Sequence, residues 1–497
     1  MYYYWTHGVD EKDAMLTFRD TPKMLYFFEK YFGTKYAYHK YAQITVEDFE
    51  FGGMENTNCT TLNSNILHNK QAHIDFSSDY LIAHELAHQW FGDLVTCRDW
   101  EHIWLNEGFA NYSESLYWEH KHRDQKKKDE FYYYVLQAAD SYFEEANTLY
   151  KRPIVTRIYK HPDEIFDAHS YEKGGCVLHM LRNYIGNDKF RESIKEYLYK
   201  FQHATADTND LREVFEETSG KGLGSFFDQW LYRAGHPKLN IEFSLDEYNN
   251  KAKIKVIQVQ DEDPFEFDLD IKIIYSNSVN SNDPDLDLKS LKISEKEHEI
   301  TLDMPIDSNG KMKQIEFFSI DPYFKILKEL DSIKVPPEFL MLQLENNKNT
   351  NVVERIQSVH ALKDKYSLEV ISALKKSILR DEFYGVSIEA ANILGEFKED
   401  NDYVKSNNAY IAIKDCLETR GKQLHPKIRR ALLSNLAVFE KEESLDIILS
   451  YIEDESYFVQ SEAATAIGKI AKNIKDEQKR KEIVERLTIL SNDNSTF

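Results

Sequence analysis

From the N-terminus to about Pro237, apolar residues recur at the three- and four-residue spacing of helices with one buried face. One stretch departs from that pattern. In "YAQITVEDFEFGGMEN", Ile44, Val46 and Phe49 suggest a strand, and the glycine pair Gly52 and Gly53 that follows would let another backbone approach closely. After "RAGHPKLN" the period falls to two. "KAKIKVIQVQ", "FEFDLDIKIIY", "LKISEKEHEITLDM" and "KMKQIEFFSI" alternate apolar with polar residues, as half-buried antiparallel strands do. Residues 238–330 are therefore expected to form a small β domain, a sandwich.

Beyond Pro336 and Pro337 the helical period returns, now with internal repetition. "DEFYGVSIEAANILG" from Asp381 and "DESYFVQSEAATAIG" from Asp454 share the pattern D-E-x-Y-x-V-x-x-E-A-A-x-x-x-G, and "IRRALLSNLAVF" places Ala431 at the equivalent point between them. The intervals from Ala390 to Ala431 and from Ala431 to Ala463 are 41 and 32 residues, which bracket the periods of HEAT-like helical arrays. Small alanines would let paired helices pack closely. The expected architecture is multidomain α+β: a mostly helical domain over 1–237, a β-sandwich over 238–330 and HEAT-like helical repeats over 331–497. Such repeats offer a surface for a protein partner.

Length supports that division, because 497 residues exceed one hydrophobic core and suit about three domains. Charge narrows the partners. With 62 Lys+Arg against 85 Asp+Glu the net charge is −23, which opposes any sequence-independent hold on nucleic acid or on anionic membrane surfaces. Four cysteines lack the paired spacing of zinc ribbons or redox motifs, so reduced thiols and a cytoplasmic location are expected. The opening "MYYYWTHGVDEKDAMLTF" shows no basic patch followed by an apolar run, and no apolar span is long enough for a membrane helix.

The chemistry concentrates between Ile82 and Glu114, in "IAHELAHQWFGDLVTCRDWEHIWLNEGFANYSE". On a helix, His84 and His88 are separated by about one turn and about 6 Å of rise, so both imidazoles can reach one ion. Glu85 lies beside that ion but points differently, as a base must if it is to take a proton from water without filling the open coordination position. A tetrahedral zinc site needs a third protein ligand. Glu107, 18 intervening residues after His88, offers a carboxylate from a second helix. Two turns on, Glu114 shares a face with Glu107 and could accept a hydrogen bond from a ligand imidazole; the plainer alternative is an exposed carboxylate.

H-E-L-A-H, then 18 residues, then Glu107, with "GGMEN" upstream, resembles the alanyl-aminopeptidase family of gluzincin zinc peptidases, which also contains leukotriene hydrolase. The resemblance is specific over about Ala42 to Pro237 and looser afterwards. It implies a thermolysin-like catalytic zinc-peptidase domain over 1–237, with one Zn2+ per chain held by His84, His88 and Glu107. Glu85 would be the general base, and Tyr171 in "SYEKGG" would donate to the developing oxyanion. Among 31 tyrosines, spacing alone gives Tyr171 no special claim. Glu55 would anchor the substrate's free α-ammonium group, while Gly52, Gly53 and Met54 run beside the peptide, Met54 lining its first side-chain pocket.

Many relatives carry alanine where this chain has Gly53, a difference expected only to widen local clearance. The substrates implied are peptides with a free N-terminus. His169 and His179 are expected to satisfy local hydrogen bonds, and Cys97 and Cys176 to be small buried residues. Family members usually begin with a β-rich domain that closes the cleft, and this chain begins after it. The competing expectation is thus a weakly active or inactive helical-repeat scaffold. The ending "LTILSNDNSTF" also lacks an obvious capping helix, as in a fragment or a naturally shortened enzyme.

Overall fold

Where the period of the sequence changes, so does the architecture. The computed structural model describes residues 2–4, 11–123, 128–246, 248–275, 285–306, 310, 312–398, 402–472, 474 and 476–491. Residues 5–10, 311 and 492–497, parts of stretches read above for a leader, a strand and a cap, lie outside them.

The first region is helical around a small sheet, ordered Tyr2–Tyr4, Ala42–Val46, Cys59–Asn63 and Gly53–Met54. The first three strands run parallel and the last is antiparallel, with Gly53 opposite Leu62 and Met54 opposite Thr61. Among the described residues Gly53–Met54 pairs on one side only, so its outer edge keeps backbone groups available to an extended chain. Phe49 falls in a bend after the Ala42–Val46 strand rather than inside it.

Aromatic packing holds the helix Asp79–Ala87 in place. Trp90, just past its end, is fully buried against Phe32 at 5.5 Å and Phe28 at 6.2 Å, and its indole donates to the Thr34 carbonyl at 3.0 Å. Phe91 stacks on Phe109 at 4.2 Å, joining the end of this helix to the helix Trp104–Lys121. Rings of this size bury large areas and prefer defined geometries, so they fix the relative placement of the two helices as well as excluding water. On the other flank of Trp104–Lys121, a Cβ on Gly108 would lie 3.1 Å from the backbone of Gly174. Glycine at both positions permits that approach.

The middle region has two sheets. One is ordered Asp285–Ile293, Phe267–Tyr275, Ile315–Ile320; the other Glu297–Asp303, Lys251–Gln258, Lys238–Asp246, Glu329–Lys334. Alternation is clearest on Lys251–Gln258, where Ala252, Ile254 and Val256 are buried and the lysines between them are not. Phe243 and Phe318 meet at 4.9 Å between the sheets. The last strand pairs parallel with Lys238–Asp246 and carries the sheet past Leu330 to Lys334.

The last region is helical from Pro337–Glu345 onward. The helices that carry the repeated alanines, Tyr384–Glu396, Pro426–Ala437 and Tyr457–Ala471, pack in succession, with Ala390 and Ala463 fully buried. Serine and asparagine caps start several of these helices. Asn351 and Glu354, for example, cap reciprocally at the head of Val352–Ala361.

Buried charge joins this region to the first. The Arg355 side chain, 0% exposed, lies 3.0 Å from Asp381 and 3.5 Å from Asp129, and Asp129 also accepts from the Val352 amide at 3.1 Å. Removing the guanidinium leaves two carboxylates facing each other out of reach of water. Arg355→Ala is expected to destabilise the chain by about 3–5 kcal/mol. Scanning calorimetry checks this, and an unchanged melting temperature refutes it.

Candidate metal centre

His84 lies in the last turn of Asp79–Ala87, and His88 is the residue that closes the helix. Their Nε2 atoms face each other at 3.1 Å. Glu107, in the first turn of Trp104–Lys121, brings Oε2 to 3.3 Å from His84 Nε2 and 3.2 Å from His88 Nε2. Three side chains from two helices thus converge, all buried.

The opposite ring atoms explain the convergence. His84 Nδ1 donates to Glu114 Oε1 at 2.8 Å, and His88 Nδ1 donates to the Phe91 carbonyl at 2.9 Å. In a neutral imidazole, a proton committed to Nδ1 leaves Nε2 as a bare lone pair. Two such nitrogens and a carboxylate are three electron-pair donors with no hydrogen to share. Ligand atoms about 2.1 Å from a tetrahedral ion stand roughly 3.4 Å apart, close to the separations here, so the residues fit a zinc ion. Protons compete for the same lone pairs. Burial disfavours charge on His88, yet Glu107 and Glu55 raise its pKa to about 9. Burial likewise opposes ionisation of Glu107, but the two histidines pull it down to about 2.

The second oxygen of Glu114 accepts from the hydroxyl of Tyr134. Tyr134 was not anticipated; it stacks on Tyr80 at 4.5 Å and comes from the separate helix Asp129–Thr148. Glu85 is 4% exposed and its Oε2 has no hydrogen-bond partner among the described residues. Burial raises its pKa to about 7, against the pull of His84 and His88 and with added repulsion from Glu55 and Glu107. A Cβ on Gly53 would collide with this carboxyl group, so the clearance that glycine leaves is filled by Glu85.

Tyr171 arrives from a single π-type turn, His169–Lys173, which packs on the Glu107 helix through the Gly108 and Gly174 contact. Its ring lies parallel to that of His84, centroids 5.9 Å apart, and its hydroxyl is near enough to Glu107 for that charge to bear on it. Burial and the neighbouring carboxylates push its pKa well up, so the phenol keeps its proton. The turn is braced by Asp167 on Arg152 and by His169 Nδ1 on Glu145 at 2.7 Å. Glu145, Asp167 and His169 also stand close enough together to hold an ion, but the Arg152 guanidinium already occupies the Asp167 carboxylate. His179 is bonded at both nitrogens, to Tyr112 and Asn183, each at 3.1 Å.

Glu55 follows the edge strand and is half-buried, near enough for its charge to bear on Glu85, His88 and Tyr171. Gly52 and Met54 are exposed beside it. Asp93 was not singled out from the sequence. Burial and the Glu55 charge raise its pKa to about 7, and it hydrogen-bonds Gln89 at 2.7 Å.

The Peptidase family M1 domain model matches residues 16–230, which contain every one of these groups. The chain is 35% identical over 229 residues to glutamyl aminopeptidase of Sus scrofa, covering 45% of this chain and 24% of the relative. Aminopeptidase N of Haemonchus contortus is 31% identical over 252 residues, 48% of this chain and 26% of the relative. Tricorn protease-interacting factor F2 of Thermoplasma volcanium is 34% identical over 223 residues, 43% and 28%. The matched part thus spans about a quarter of each of these relatives. The crystal structure of Legionella pneumophila aminopeptidase A in complex with aspartic acid superposes with a TM-score of 0.73 at 17% identity, over 99% of this chain and 60% of that one. At that identity the likeness is one of fold.

Glu114→Ala is expected to lower the affinity for Zn2+ by about 10–100-fold, because the His84 ring loses the acceptor that sets its tautomer and angle. Competition with a chromophoric chelator measures it, and an unaltered affinity refutes that role for Glu114.

Proposed function

We propose that this chain is a zinc-dependent aminopeptidase that removes the N-terminal residue from peptides. The observation that carries the proposal is the meeting of three ligand atoms on His84, His88 and Glu107, within 4.8 Å of one another, beside a buried Glu85 oxygen with no partner among the described residues. Such a donor set suits one zinc ion per chain, which when bound supplies a positive centre that polarises a peptide carbonyl and acidifies water.

The chain's own residues do the rest. Glu85, raised towards neutrality, takes the proton of the attacking water and returns it to the departing amine, as a base with a pKa near the working pH does best. Tyr171, kept protonated, donates to the carbonyl oxygen as negative charge builds there. Glu55 binds the substrate's α-ammonium group and so sets the first peptide bond over the centre. Gly52, Gly53 and Met54 offer the free strand edge to the peptide backbone, with Met54 against its first side chain. Glu114 holds His84 in orientation from behind.

The same reading divides the chain into a thermolysin-like peptidase domain over 1–237, a β-sandwich from 238 to about 330 and a HEAT-like repeat domain beyond it. The packing of the alanine-bearing helices in succession supports the repeat, which would present a face to a protein partner. The four cysteines are all unpaired, and no helix among the described residues is long and apolar enough to cross a membrane. Both facts suit a chain working in the cytoplasm.

Two experiments test the chemistry. Glu85→Gln is expected to keep one zinc per chain and lose about 10²–10⁴ in turnover, whereas His88→Ala loses metal and turnover together. Full turnover by the zinc-loaded Glu85→Gln protein removes the base from the mechanism. Acetylating the N-terminus of a cleaved peptide is expected to abolish its hydrolysis; equal cleavage of both forms makes the enzyme an endopeptidase instead.

A further inference from the structure

The residue after the second histidine, Gln89, has a part that the motif does not assign. Its side chain is 1% exposed, and all four hydrogen-bonding positions of its amide are used. Oε1 accepts from the Asn58 amide at 2.9 Å and from the Tyr36 hydroxyl at 3.3 Å. Nε2 donates to the Glu55 carbonyl at 3.2 Å and to Asp93 Oδ2 at 2.7 Å. One amide therefore grips the turn that follows the edge strand at both its ends, Glu55 and Asn58.

The turn needs such a grip. Asn58 has φ of +58°, in the left-handed region, and the Cys59 amide closes the bend on the Asn56 carbonyl at 2.9 Å. Asp93 lies in the bend just after the metal helix, its own amide on the His88 carbonyl at 3.0 Å. Asp93 also fixes which way the Gln89 amide faces, because a carboxylate accepts from NH2 and repels the carbonyl oxygen. Apart from Gln89 and Asp93, the segment carrying Glu55 meets the metal helix through the sheet and the close packing of Gly52 and Gly53 on Leu81 and Glu85, neither of which holds the turn after Met54.

We propose that Gln89 is a positioning residue: it locks the turn carrying Glu55 to the helix carrying His84, Glu85 and His88, so that the ammonium anchor and the reacting centre keep a fixed separation. This rests on the aminopeptidase reading, in which Glu55 holds the substrate's N-terminus. Its consequence is specific. Gln89 touches no ligand atom of the metal site, so its loss impairs substrate registration and leaves metal binding and proton transfer intact. An amide that only stabilised the fold would leave substrate discrimination unchanged.

The test uses the full zinc-loaded chain and two variants. Gln89→Met keeps the length and loses every hydrogen bond; Gln89→Glu keeps an acceptor for Asn58 but has no NH for Glu55 and faces Asp93. Both are expected to hold one zinc per chain. Amide hydrogen exchange over residues 55–59 is expected to rise about tenfold while residues 79–88 keep their protection. KM for an aminoacyl amide is expected to rise about tenfold with kcat within about threefold, and preference for a free over an acetylated N-terminus to fall in step.

Unchanged exchange in 55–59, or a fall in kcat at constant KM, overturns the proposal. If the unsubstituted zinc-loaded chain fails to prefer free N-termini, the aminopeptidase reading falls instead, and the exchange measurement decides the clamp by itself. Should Gln89→Met fold poorly, Gln89→Glu decides the question on the same readouts.

Discussion

The centre depends on one constraint: the outer nitrogens of His84 and His88 are already engaged, by Glu114 and by the Phe91 carbonyl. Those two hydrogen bonds leave bare lone pairs on the inner nitrogens and face them at Glu107. The same rings in the opposite tautomer would present an N–H to the centre and repel a cation. The capacity of these residues to hold a metal is therefore set as much by the acceptors behind the rings as by the three donor atoms themselves. One of those acceptors is the helix's own exit loop, which makes the site sensitive to how the chain leaves Ala87.

That exit is controlled by aromatic packing. Trp90 wedges between Phe28, Phe32 and the Thr34 carbonyl, and Phe91 stacks on Phe109 two residues after Glu107. Buried rings with defined contacts resist sliding better than aliphatic packing of equal area, so they convert a loop of irregular backbone into a rigid spacer between ligands. Gly108 does the same for Tyr171 by letting the π-type turn sit directly on the ligand helix. Precision at the centre is thus supplied from a shell of residues that never meet substrate.

How much of this the chain discloses by itself follows from range. Spacings within one helix, His84 to His88 and Glu107 to Glu114, are legible because helical geometry turns a residue count into a direction. Tyr171 was legible only by resemblance, since no periodicity carries a tyrosine across 64 residues of chain from Glu107. Tyr134, Asp93 and Gln89 escaped notice for a related reason: their importance lies in partners on other elements. The strand Glu329–Lys334 was missed because it is an edge strand with no fully buried residue, so its apolar alternation is weak, and because its parallel partner Lys238–Asp246 lies far back in the chain.

A division of labour follows. His84, His88, Glu107 and Tyr171 belong to helices and a turn packed into the aromatic core, where movement would cost buried contacts. Glu55 directly follows the two-residue edge strand Gly53–Met54, which among the described residues is paired on one side and is partly exposed. In the proposed aminopeptidase such a strand is free to accept a peptide at its outer edge, and a strand this short does not by itself fix the distance from Glu55 to the centre. The requirement for a rigid separation between a substrate's first nitrogen and its first carbonyl, a single residue's length, therefore falls on side chains that bridge strand and helix. The amide of Gln89 and the carboxylate of Asp93 are the groups placed to do this. Because Gln89 follows His88 directly in the chain, the bridge is referenced to the centre itself.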